Sequence, residues 1–181
     1  MNEGRLLNEK NVVSATVVLS LIAIYFSYTN DLIVAYNDAA AHLNTARRMV
    51  DSLTPGVVQV GSVWLPLLHL FELPFASSFY LWKTGLAGSI VSGLSFVIAS
   101  FFLYKLLLFV SDSKLSAVIA ILAFVTNINL LYLQTTAMFE PLLMATALGA
   151  VFFLTRWARD GQVSPTTFRS IFYYAFHPDS L

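Results

Sequence analysis

The chain contains no cysteine, and only 11% of its 181 residues are charged. Without cysteine, neither a disulfide scaffold nor a thiolate metal site can form. Soluble domains carry roughly 25% charged residues, so this sequence has too few to coat a globule of its size. Disorder requires low hydrophobicity and high charge. It is excluded here, because 57% of the residues are hydrophobic and the mean hydropathy is +0.73. An excess of either charge is also missing. Ten Lys and Arg balance ten Asp and Glu, so nothing points to nucleic acid as a partner. The composition leaves an all-α integral membrane protein in contact with the lipid bilayer.

A hydrocarbon core about 30 Å thick takes roughly 20 apolar residues of helix to cross. On that measure the sequence predicts about four transmembrane helices. Asn11 to Thr29 carries no charge, and its end lacks the small-residue pattern of a cleaved signal peptide, so it reads as a retained anchor. Thr84 to Tyr104 includes Gly85, Gly88 and Gly93, which allow close helix approach in lipid. Leu115 to about Leu133 is the third span, with Asn127, Asn129 and Gln134 marking a polar far end. Pro141 to Thr155 is the fourth, and Glu140-Pro141 reads as its start. With a cytoplasmic N-terminus, Arg5, Lys10, Lys105, Lys114, Arg156, Arg159 and Arg169 lie inside, and Arg47, Arg48 and Lys83 outside. The excess of inner basic residues favours this orientation, with a long external loop from about residue 30 to 83. Residues 1–161 are expected to form one membrane domain. Residues 162–181, interrupted by Pro165, Arg169 and Pro178, are expected to be an irregular tail at a truncation end.

The external loop holds most of the candidate chemistry. Its Ala-rich stretch predicts a surface helix from Asp38 to Ser52, capped by Asn37 or Asp38 and ended by Pro55-Gly56. Its apolar face would include Leu43, Met49, Val50 and Leu53. Asp38 and His42 are four residues apart and share a face. Asp38 sits at the positive end of the helix, which favours the ionised form that a base needs. A structural role as cap and i+4 partner accounts for the same two residues. Arg47 and Arg48 could bind phosphate, while Arg47 and Asp51 also form an i,i+4 surface pair. The apolar run between Pro66 and Pro74 is too short to span and predicts an interfacial or re-entrant element. Trp64 and His69 suit the headgroup region. Glu72, in that apolar run, must find a partner or a polar cavity. Glu140, at the membrane edge, is either a functional carboxylate or a helix-dipole partner.

The residues Asn37-Asp-Ala-Ala-Ala-His-Leu-Asn-Thr-Ala-Arg-Arg48, the Thr54-Pro-Gly56 turn and Trp64-Leu-Pro-Leu-Leu-His69 resemble the first external loop of GT-C type glycosyltransferases. Within that group they are similar to the protein O-mannosyltransferase-like and aminoarabinose-transferase-like prokaryotic membrane enzymes. The stretch Asn127 to Leu143 resembles the segment joining the third and fourth spans of that family. The resemblance covers roughly Asn11 to Gly161 and rests on the order of elements.

The resemblance implies a transferase of the prokaryotic plasma membrane that moves a sugar from a polyprenyl-phosphate-linked donor to a hydroxyl on a protein or lipid acceptor. Asp38 would activate that hydroxyl. Glu140 would lie at the same external cavity, His42 would neighbour Asp38, and Arg47 or Arg48 would contact the lipid phosphate. Some members use a divalent metal held by carboxylates and others do not, so Asp38 and Glu140 are candidate oxygen ligands. Members of the family have many more spans. The chain is therefore expected to be an N-terminal portion, or to work with a second membrane polypeptide. The alternative is a catalytically inactive remnant or scaffold subunit that packs against a partner through Gly85, Gly88 and Gly93.

Overall fold

The computed structural model describes residues 8–60, 64 and 66–159. The expected tail at 162–181, and Arg5 and Arg169 from the charge count, lie outside the described residues. Among the described residues there is helix and no strand. In chain order the helices are α1 (Glu9–Thr29), α2 (Asn37–Arg48), a 3-10 turn (Val57–Val60), α3 (Pro66–Ala76), α4 (Phe79–Thr84), α5 (Leu86–Ser111), α6 (Lys114–Val125), α7 (Ile128–Leu133) and α8 (Glu140–Arg159).

Three of these, α1, α5 and α8, are long and apolar enough to cross a membrane. Their 21, 26 and 20 residues rise by about 1.5 Å each, which matches a hydrocarbon core. In α1 the polarity is inverted relative to a soluble bundle. The buried residues of α1 are Thr16, Ser20 and Ser27, whereas Leu21, Ile22, Tyr25 and Phe26 are exposed. Helix α5 buries Gly88, Ser89, Ser92, Gly93, Ser95 and Ser100 along with the large Phe96 and Tyr104, and exposes Leu94 and Val110. Small and hydroxyl-bearing residues inside with large apolar residues outside suit lipid, where close packing and interhelical hydrogen bonds drive association.

The long helices sit side by side around α5. Helix α1 is antiparallel to α5: Glu9 pairs with Lys105 at 2.9 Å at one end, and Ser20 faces Gly93 further along. Helix α8 runs parallel to α5. Ser92 Oγ donates to Met138 O just before α8 (3.2 Å), Gly149 packs on Phe102, and Arg159 donates to Phe109 O (2.9 Å). Between them α6 and α7 return the chain, with Phe96 and Phe124 stacked at 5.3 Å.

The continuous third span expected over 115–133 is two helices. Thr126 Oγ1 donates back to Leu122 O (2.6 Å), and Asn127 Oδ1 accepts from the backbone N–H of Asn129 (3.0 Å) and Leu130 (3.3 Å). Such side chains offer the backbone a capped alternative to continuing the helix. The second long helix starts at Leu86 because Gly85 adopts φ +80°, closing α4 and opening α5. A side chain there would also collide with Ile33 and Val34.

The turn expected near Gln134 to Glu140 is buried from Gln134 to Met138. Ser89 Oγ donates to Thr135 O (2.6 Å) and Ser20 Oγ to Gln134 Oε1 (2.7 Å). A Cβ on Gly88 would strike Ala137, so only glycine admits this approach. Irregular backbone at this depth requires such protein partners. They fix where α8 begins and therefore where Glu140 stands. Gly85, Gly88 and Gly93 are thus all engaged within the chain.

Candidate functional site

Helix α2 buries Ala39, His42, Leu43 and Ala46, the i, i+3, i+4, i+7 stripe of a helix with one packed face. Its boundaries differ from the expected ones. The N-cap is Tyr36, with no side-chain cap bond, so neither Asn37 nor Asp38 is the cap. The helix ends at Arg48, well before Pro55-Gly56, as 3-10-type bonds from Met49 to Ala46 O and Val50 to Arg47 O tighten the last turn. Leu43 and Met49 are buried as expected, but Val50 and Leu53 are exposed, because they lie beyond the helix.

Helix α3 buries Leu68, His69, Glu72 and Ala76 and exposes Leu67, Leu70 and Phe71. Its eleven residues reach about 16 Å, too short to cross. Its two titratable residues face inward, while Leu67, Leu70 and Phe71 face outward. Pro66 opens it at a position where the missing N–H costs no helical bond.

The packed faces of α2 and α3 meet at two histidines. His42 Nδ1 and His69 Nε2 are 2.9 Å apart, and both rings are buried. Trp64 covers the pair, with its ring centroid 4.7 Å from that of His42. Arg47 clamps the far end of the same interface. It donates to Ala76 O (3.0 Å) and Ser77 O (2.6 Å), binds Asp51 Oδ2 through two nitrogens, and lies over Trp82. Its donors thus serve the carbonyls that end α3. Arg48 is exposed and forms no ion pair among the described residues.

Asp38 is exposed one helical turn from His42. Glu140 opens α8, with its Oε2 buried and unpartnered. Burial pushes His42 below the ordinary imidazole pKa, while the charges of Asp38 and Glu140 pull it back up. The fold therefore gathers Asp38, His42 and Glu140, three expected site residues, at one end of the helices. Of the three, His42 lines a cavity of about 380 Å³, together with Trp64, Leu67, Phe139, Leu142 and Leu143. The cavity is mostly apolar, with the His42 imidazole and Thr146 as its polar lining residues.

Two members of the site were not singled out from sequence for this role, His69 and the depth of Glu72. Glu72 is fully buried and neither carboxyl oxygen has a partner. Burial raises its pKa to about 8, so it is protonated at neutral pH. Burial, with His42 next to it, lowers His69 to about 4, so that ring is neutral. The available signal was the His69-x-x-Glu72 spacing, one turn apart in an apolar run.

A divalent metal does not fit these residues. Asp38 is exposed, and among the described residues no group of three or more His, Asp or Glu side chains gathers as a ligand set.

Fold and site together define a helical membrane protein with an imidazole and two carboxyl side chains grouped beside an apolar cavity. Compared with protein-family models, curated proteins and solved structures, the chain matches none.

Proposed function

We propose that the chain is part of a GT-C type glycosyltransferase that moves a sugar from a polyprenyl-phosphate donor to an acceptor hydroxyl. The observation that carries this reading is the approach of Asp38 and Glu140 to His42, whose imidazole lines an apolar cavity. Glycosyl transfer needs a base for the incoming hydroxyl and cationic or donor groups for the departing phosphate. A lipid donor needs an apolar slot beside both. Asp38, exposed, is the base. Glu140 orients the acceptor, and His42 stands near both carboxylates and feels their charge. Arg48 is the cation left to meet the lipid phosphate, because Arg47 is committed to α3.

In this reading α6 and α7 together make a fourth crossing, since they return the chain from the Ser111 end of α5 to the start of α8. Helix α2 lies on the outer face of a prokaryotic plasma membrane. Lys10, Lys105, Lys114, Arg156 and Arg159 fall at the end opposite to Arg47, Arg48 and Lys83, which supports a cytoplasmic N-terminus.

The test is sugar transfer from a polyprenyl-phosphate donor in native membranes that carry Asp38→Asn. Loss of a general base lowers the rate about a hundredfold or more, with the amount of chain in the membrane unchanged. Normal transfer in that variant rejects the assignment.

A further inference from the structure

Three atoms on the packed face of α3 are buried without a hydrogen-bond partner: His69 Nδ1 and both carboxyl oxygens of Glu72. Buried polar atoms are almost always paired, so three orphans on one face call for a common explanation. His69 and Glu72 stand one helical turn apart, at a spacing where side chains meet. His69 already holds His42 through its other ring nitrogen, at 2.9 Å.

We propose that Glu72, His69 and His42 form a buried carboxyl–imidazole–imidazole relay that fixes which nitrogen of His42 faces the cavity. The protons can be assigned in order. A carboxyl buried this deeply keeps its proton, so Glu72 is a donor, and the unpartnered acceptor one turn away on its own helix is His69 Nδ1. The proton of His69 then sits on Nε2 and is donated to His42 Nδ1. His42 in turn carries its proton on Nε2, the nitrogen not engaged by His69. It therefore offers an N–H donor to the cavity it lines. The reverse order puts the His69 proton on Nδ1, where only the carbonyl oxygen of the carboxyl can take it, and leaves the buried O–H of Glu72 without an acceptor.

The other charged groups near the relay are Asp38 on α2 and Glu140 at the start of α8, and both act on His42. An N–H on His42 Nε2 is matched to anionic partners of this kind. His69 and Glu72 are positioning residues, since they reach the cavity only through His42. The relay rests on side-chain placement and stands apart from the glycosyl-transfer reading.

Nitrogen NMR of the imidazoles tests it, on the full chain in lipid nanodiscs near neutral pH. Both histidines are expected to carry the proton on Nε2, with His69 Nδ1 at the upfield position of a hydrogen-bonded acceptor. Glu72→Gln, whose amide N–H also donates, keeps that position. Glu72→Leu moves His69 Nδ1 to the free-acceptor position. The infrared band of a protonated carboxyl, present in the wild type, is lost in Glu72→Gln. A free-acceptor His69 Nδ1 in the wild type, or a proton on His42 Nδ1, overturns the relay. So does an absent carboxyl band, a reading that holds even where Glu72→Leu does not fold.

Discussion

Glu72 and His69 pull the pH dependence of folding in opposite directions. Burial raises Glu72 from 4.5 to about 8. The folded chain thus holds a proton that the unfolded chain releases, and stability present below pH 4.5 is lost as pH rises through about 8. His69 is lowered from 6.5 to about 4, so its contribution is complete above 6.5 and is lost as pH falls towards 4. His42, also lowered, acts in the same direction as His69. The solubilised chain is therefore expected to melt at its highest temperature in mildly acidic buffer and to lose stability above about pH 6.5. Glu72→Gln removes the alkaline loss and leaves the acid limb. Parallel alkaline slopes in the two proteins contradict this account of Glu72. The Asp38–His42 relation was legible in sequence because four residues on one helix are neighbours. The His42–His69 bond was not. The two residues are 27 positions apart, and the sequence between them carries no periodic signal of how α3 turns back onto α2.

Among the elements, α3 carries the most direct statement about environment. It hides an imidazole and a carboxyl and presents Leu67, Leu70 and Phe71, an arrangement suited to apolar surroundings. The chain's lack of cysteine means that a single introduced cysteine carries a single label. In nanodiscs, nitroxides at Leu70 and Phe71 are expected to collide more with oxygen than with a water-soluble nickel chelate. A nitroxide at the exposed Val58 of the 3-10 turn should do the reverse. Nickel access at Leu70 equal to that at Val58 would place α3 in water. The same helix shows why element boundaries were partly legible. Length and hydropathy located α1, α5 and α8, because a membrane sets the length. Ends and breaks depend on single side chains. Asn127 divides the third apolar stretch by bonding two backbone N–H groups. Residues 49–51 leave the helical course of α2 before Pro55-Gly56, the stop signal in the sequence.

The whole molecule places its groups by sidedness. Helix α1 runs one way, α5 the other, α6 and α7 return, and α8 descends beside α5, so α2, α3 and the start of α8 meet at one end. The sequence pointed to the membrane class and to an acidic outer edge. The cavity was not legible, because it forms between Leu67 on α3, Phe139 before α8, and Leu142 and Leu143 within it. Apolar residues in an apolar chain give no sign of which ones face a void. The central claim is that this cavity, beside Asp38, His42 and Glu140, receives a lipid-linked donor. Photolabelling the full chain in nanodiscs with a diazirine-bearing polyprenyl phosphate tests it most directly. The account predicts crosslinks concentrated on Leu67, Leu68 and Phe139 to Leu143, competed by the sugar-bearing lipid and lost when Leu143→Trp fills the cavity. Labels spread evenly over the exposed apolar faces of α1, α5 and α8, unchanged by Leu143→Trp, would contradict it.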